Sequence, residues 1–242
     1  MRERALVVRS GENAFPFASK DSSVEIVERI SHSIVPLREG IDRVGRTADL
    51  AIFTSQITVR RLVEEQELFV RFQSSVARIA AVGRATAAAL ERVGLTPALV
   101  ASGSAESVLE QLPPRLQGQR ILLPRGQDAS EELPAGLARR GADVVPIVLY
   151  RKVLRPRDED LDREILERPF GAFCATSPGA ARWLFRGIDS GPLDRLRATP
   201  AVALGRFTAR FLASHGVARV EIAAQASFAA AAQLLVMLAK ST

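Results

Sequence analysis

Cysteine is almost missing from the chain. Cys174 stands alone, so no intrachain disulfide can form and nothing points to an oxidising compartment. It lies inside the strand-like run Ala172–Ala175 and reads as a small buried hydrophobe. Histidine is nearly as scarce. His32 and His215 have no partner at metal-site spacing, and His215 sits at a helix C-terminus, where an imidazolium is favourable anyway. We expect no metal and no cofactor. No nucleophile elbow, P-loop or dinucleotide fingerprint is present. The strand ends carry Thr, Ser, Gly and Arg instead of an acidic cluster, which argues against a phosphoacceptor receiver. No apolar run approaches the ~20 residues of a membrane span. The start leads straight into Ala5-Leu6-Val7-Val8 without a signal-peptide pattern. We read the protein as cytoplasmic and expect no membrane partner.

Lysine is confined to Lys20, Lys152 and Lys240, so arginine supplies almost all of the positive charge behind the net +6. Genomic base composition explains this as well as a polyanionic ligand does. The guanidinium fork suits carboxylate and phosphate. Nucleic acid fits poorly, because the arginines are scattered and one Tyr and one Trp offer little stacking surface. We expect no nucleic-acid partner. The hydrophobic fraction of 47% and charged fraction of 25% are ordinary for a globular chain. At 242 residues, two domains of about 120 residues each are a sensible expectation.

What the chain does have is an internal copy, 122 residues away. Thr54-Ser55 recurs as Thr176-Ser177, and Arg60 and Leu62 as Arg182 and Leu184. Gly83-Arg84-Ala85-Thr86-Ala87 recurs as Gly205-Arg206-Phe207-Thr208-Ala209, and Leu90 and Gly94 as Leu212 and Gly216. Two like domains with a cleft between them are expected. The copied residues stand where apolar runs stop, which is where an α/β sheet carries its ligand loops.

Compact apolar runs at 5–9, 33–37, 49–53, 78–82, 97–101, 120–124, 144–150, 170–175, 200–204 and 218–222 read as parallel strands buried on both faces. Helices are predicted between them. Thr86–Val93 stops at Gly94, Thr208–His215 at Gly216, and Glu131–Arg140 at Gly141 with Ser130 as N-cap. Two five-stranded doubly wound sheets follow. The domain division has two solutions. A plain tandem would split near residue 118. Alternatively, the similar runs Val35–Gly40 and Val145–Arg151 lead out of one domain, and the charged stretch Arg151–Asp162 is a linker. Domain 1 is then 1–37 plus 156–242 and domain 2 is 40–152, with connectors near 35–40 and 148–156.

The duplicated loops are the candidate site. Gly83-Arg84 and Gly205-Arg206 each follow a strand and open a helix, where free backbone N–H groups bind anions. The bland alternative makes each glycine an ordinary turn and Thr86 and Thr208 ordinary N-caps. Thr54-Ser55 and Thr176-Ser177-Pro178 occupy equivalent strand ends, with helix capping as the alternative. Arg9 and Arg125-Gly126 end two further strands. Tyr150 is the only tyrosine and ends an apolar strand. A phenol is neutral at pH 7 and can give a hydrogen bond or a proton to a leaving hydroxyl. It reads equally as an edge residue with a wet hydroxyl.

Four motifs in order resemble those of the uroporphyrinogen-III synthase family. They are the paired Thr-Ser loops, Val-Gly-x-x-Thr-Ala-x-x-Leu at Val82–Leu90 (with Leu204 for Val in Leu204–Leu212), Leu-Leu-Pro-Arg-Gly at Leu122–Gly126, and Val-Pro-x-x-x-Tyr-Arg at Val145–Arg151. The resemblance spans nearly the whole chain. It implies two flavodoxin-like domains joined by a two-stranded connector, the first discontinuous. It implies a lyase that converts the polycarboxylate hydroxymethylbilane to uroporphyrinogen III with ring D inverted, in haem biosynthesis, without cofactor or metal. Tyr150 is implied as the residue assisting hydroxyl departure, with Thr86, Thr208 and Ser177 in the cleft. We expect a monomer that positions a flexible substrate by domain closure. The family pattern is broken at Ile57, where Asn is common, and at Ser10, where Pro is. A non-catalytic binding protein of the same fold is the alternative reading.

Overall fold

The structure, a computed structural model, describes residues 3–11, 23–224 and 227–241; most of the irregular Gly11–Ser23 stretch lies outside them. Among the described residues the strands are β1 (Glu3–Ser10), β2 (Val24–Glu39), β3 (Leu50–Phe53), β4 (Ile79–Val82), β5 (Leu99–Ala101), β6 (Arg120–Gly126), β7 (Asp143–Leu154), β8 (Ala172–Ala175), β9 (Ala201–Ala203) and β10 (Val220–Ile222). The helices are α1 (Gln56–Glu64), α2 (Gln66–Ser75), α3 (Arg84–Glu91), α4 (Ala105–Gln111), α5 (Glu132–Arg139), α6 (Glu159–Glu167), α7 (Pro178–Phe185), α8 (Ser190–Ala198), α9 (Arg206–Ser214) and α10 (Phe228–Lys240).

The chain divides into two units, Met1–Ile34 with Val153–Thr242, and Val35–Lys152. It passes from one to the other inside β2 and again inside β7. In the first unit the strand order is β2-β1-β8-β9-β10, with every pairing parallel. In the second it is β7-β6-β3-β4-β5, again all parallel. Both are the doubly wound order 2-1-3-4-5, entered by the chain at different points. The 122-residue offset becomes structural here: β8 takes the place of β3, β9 of β4, α7 of α1 and α9 of α3.

The strands form because their side chains find apolar cover on both sides. In β1, Leu6 and Val8 pack with Leu161, Trp183 and Leu184, while Ala5 and Val7 pack with Leu235 and Leu238 of α10. Successive side chains point to opposite faces, so a strand covered twice must be apolar throughout. In the second unit Leu50 and Ile52 meet Val108, Leu133 and Leu137. Phe53 meets Phe72 edge-on, with ring centroids 5.5 Å apart.

Several predicted elements start two or more residues early. β2 begins at Val24, well before the expected residue 33. Its early residues are charged, which hides a strand from pattern reading. Each charge is matched across the fold: Glu25 by Arg4 (3.2 Å), Glu28 by Arg9 (2.5 Å), and Arg29 by Asp158 (2.8 Å) and Glu164 (2.7 Å). α3 and α9 start two residues earlier than predicted, because glycine rather than threonine is the N-cap. The stop signals stand: Gly94, Gly141 and Gly216 follow their helices with φ of 79°, 89° and 87°, the left-handed conformation that glycine adopts without steric cost.

Candidate functional site

Within each unit the copied loops lie at the C-terminal ends of the parallel strands, where α/β sheets bind ligands. In the second unit β3 runs into Thr54, which is exposed, and Ser55. Ser55 Oγ accepts from the Ile57 amide at 3.1 Å and caps α1. In the first unit Ser177 does the same for α7, accepting from the Ala180 amide at 3.1 Å, with Pro178 as the first helical residue. Both serines are thus real helix caps.

The glycine loops differ from this. Gly83 and Gly205 cap α3 and α9 without any side-chain hydrogen bond to the first turn. Arg84 and Arg206, the first helical residues, are exposed, while Thr86 and Thr208 occupy the third position and are buried. Neither threonine is therefore an N-cap. No described residue hydrogen-bonds to the hydroxyl of either one. Gly83 needs its hydrogen side chain for a φ of 89°, whereas Gly205 is extended and has open space where a Cβ would lie. Each unit thus offers a helix start without a side-chain cap and an adjacent exposed arginine, an arrangement suited to carboxylates.

Phe207 adds a feature present in one copy only. Among the described residues it is the only exposed phenylalanine, tyrosine or tryptophan, at 62%. The Arg206 guanidinium carbon stands 5.0 Å from its ring centroid. The equivalent residue in the second unit is Ala85.

Arg9 and Arg125 are turned inward, each only 5% exposed. Arg9 is held by Glu28 and by the Gly11 carbonyl. Arg125 donates to the Ala129 carbonyl and pairs with Glu131 at 2.6 Å. Each guanidinium ties down the loop that follows its strand. Tyr150 is paired with Gly126 across the β6–β7 ladder and is 6% exposed, and no described residue hydrogen-bonds to its hydroxyl.

His32, set aside in the sequence for want of a metal partner, lies beside this loop set. A Cβ placed on Gly179 would be 3.3 Å from its Cε1 and 3.8 Å from Ser177 Oγ. Only the strand pairing brings it there, and the charged run of β2 concealed that pairing. A cleft of about 570 Å³ in the first unit, lined by Arg155, Arg157, Trp183 and Arg186, contains none of the candidate residues. Cys174 is fully buried, and burial pushes its thiol up to about 12. Among the described residues no group of His, Cys, Asp and Glu could hold a metal, and no helix is long and apolar enough to cross a membrane.

A sequence profile described as uroporphyrinogen-III synthase HemD matches residues 20–233. A candidate uroporphyrinogen-III synthase of Methanothermobacter thermautotrophicus is 31% identical over 194 residues, covering 75% of this chain and 76% of its own. A mutant uroporphyrinogen III synthase from Thermus thermophilus shares the fold with a TM-score of 0.69 at 21% identity, over 99% of this chain and 100% of that one. The Helicobacter pylori uroporphyrinogen-III synthetase does so with 0.68 at 18%, over 98% and 100%. With the profile covering most of its length and motifs in both units, the chain belongs to the uroporphyrinogen-III synthase family.

Proposed function

We propose that the protein is an active uroporphyrinogen-III synthase, cyclising hydroxymethylbilane with loss of water and inversion of ring D. One observation carries this beyond family membership. Both units keep the same equipment at the same strand end: a glycine-capped helix with open amides, an exposed arginine and a buried threonine. A substrate bearing many carboxylates at intervals suits two such anion sites. Gly83, Arg84 and Thr86 in one unit, and Gly205, Arg206 and Thr208 in the other, bind those carboxylates. Thr54, Ser55, Ser177 and Pro178 shape and line the neighbouring loops. Arg9 and Arg125 act indirectly by holding the loops after β1 and β6.

Tyr150 gives its phenolic proton to the departing hydroxyl. The rest of the work is positioning, because holding a flexible chain in one reactive fold removes much of the entropic barrier. The protein works as a monomer in the cytoplasm and needs no cofactor.

The test is an assay with freshly prepared hydroxymethylbilane that separates type I and type III products. Type III in excess over the spontaneous type I product is the expected result. Type I alone, from folded protein, makes this a binding protein on the same fold.

A further inference from the structure

Away from the duplicated loops, the first unit holds a second concave place. The cleft of about 570 Å³ is lined by residues 154–158 with Asp162, and by Trp183, Arg186 and Gly187 around the end of α7. The stretch read from the sequence as a linker is thus one of its walls, and hydrogen bonds fix that wall in place. The Trp183 indole N–H donates to the Arg155 carbonyl at 3.0 Å, and Arg157 Nε donates to the Leu184 carbonyl at 3.1 Å. The Arg155 amide donates to the Ser31 carbonyl of β2 at 2.9 Å, and Arg155 Nε donates to Ser33 Oγ at 2.8 Å.

Both described carboxylates of the cleft are already taken. Asp162 pairs with Arg157. Asp158 pairs with Arg29 at 2.8 Å and caps α6. Two cations remain, Arg155 and Arg186, both exposed. Among the described residues neither guanidinium meets a carboxylate. The internal copy marks this as a departure. The 122-residue offset sets Trp183 against Arg61 and Arg186 against Glu64. In α1, Glu64 closes on Arg61 and, at 3.8 Å, on Arg60, so that helix end neutralises its own charge. At the same place α7 carries an aromatic ring and a cation. The helix dipole favours one cation at a helix C-terminus, but it does not account for a second arginine brought to the same cleft by the connecting chain.

We propose that this cleft binds a small polyanion, a molecule with two or more phosphate or carboxylate groups. Arg155 and Arg186 grip its charged groups, and Leu154 and Trp183 face its apolar part. The guanidinium fork suits both kinds of oxyanion, and the volume is in the range of small-molecule sites. None of the residues assigned above to the substrate lines the cleft, so the inference stands apart from the synthase reading. A ligand held here bridges the connecting chain and α7, and it stabilises the first unit in proportion to its occupancy.

Trp183 is the only tryptophan, so its fluorescence reports on this cleft. The experiment titrates the protein with inorganic pyrophosphate and with citrate at constant ionic strength, following Trp183 emission and the heat of binding. At least one probe should saturate with a Kd below about 1 mM and raise Tm, and the tighter probe tells phosphate from carboxylate. Arg155→Gln and Arg186→Gln should each weaken binding about tenfold or more. Arg186→Gln removes no described side-chain hydrogen bond, and circular dichroism verifies that it folds. The double variant Arg84→Gln, Arg206→Gln should keep the wild-type Kd within about threefold. Neither probe saturating, or Kd unchanged in folded Arg186→Gln, or binding lost in the double variant, overturns the proposal. No tetrapyrrole is present in these titrations. An active synthase that fails them loses this inference alone, and a protein that passes them without forming type III product loses only the synthase reading.

Discussion

The Tyr150 ring rests on Gly126. A Cβ added at Gly126 would stand 2.7 Å from Tyr150 Cζ and 3.0 Å from the hydroxyl oxygen, closer than carbon atoms pack. The glycine of the Leu-Leu-Pro-Arg-Gly segment is therefore a seat for a side chain. Gly126→Ala should move the ring, cost about 1–3 kcal/mol through overpacking, and lower type III formation at least about tenfold. Denaturation and the product assay on the same sample measure both. Unchanged activity separates ring position from function.

Tyr150→Phe keeps the ring and removes the hydroxyl. If that hydroxyl is the proton donor, type III kcat should fall about 10²-fold or more, with little change in stability. A rate near wild type removes the acid role and leaves Tyr150 as packing.

Ser55 and Ser177 cap equivalent helices, and each alanine variant should cost about 1 kcal/mol of stability. Both variants should also raise KM, because both loops are proposed to line the substrate site; denaturation and steady-state kinetics measure the two effects. Unchanged kinetics in both variants leaves the two serines as helix caps alone.

Phe207→Ala removes the one exposed phenylalanine, tyrosine or tryptophan ring among the described residues. If a pyrrole ring stacks there, KM should rise about 3–10-fold with kcat retained. Steady-state kinetics decide it, and an unchanged KM takes Phe207 out of the site.

Cys174 should resist iodoacetamide in the folded protein at pH 8 and react on unfolding. Its thiol is pushed up from 9.0 to about 12 by burial, so the folded state holds its proton where the unfolded state releases it. The resulting stability loss begins as pH rises past about 9 and grows toward 12. Denaturation midpoints across that range, compared with Cys174→Ala, check the sign.

Much of the fold was legible because parallel strands covered on both faces must be short apolar runs. What failed depended on distant partners. The charges of Glu25, Glu28 and Arg29 look unlike a strand until Arg4, Arg9 and Glu164 come across the fold to meet them. Threonine resembles a cap in sequence, yet Thr86 and Thr208 sit one turn inside helices that glycine begins. Arginine at a strand end resembles a ligand group, and only the structure commits Arg9 and Arg125 to their own loops. His32 could not be placed by spacing, since only the β1–β2 pairing, which sets it opposite Ser10, brings it near the loop that opens α7.

The chain's two passages between units set an order of synthesis. Val8 of β1 pairs with Ala175 of β8, and the whole of the second unit is made in between. At 5–20 residues per second, β1 waits roughly 10–30 s for its central neighbour. The second unit is continuous and can fold while still attached to the ribosome, whereas the first must hold one edge of an apolar strand open, with only β2 beside it, until its last ninety residues emerge. Chaperone demand should therefore fall on the N-terminal strand, and joining Ile34 directly to Val153 should abolish that wait.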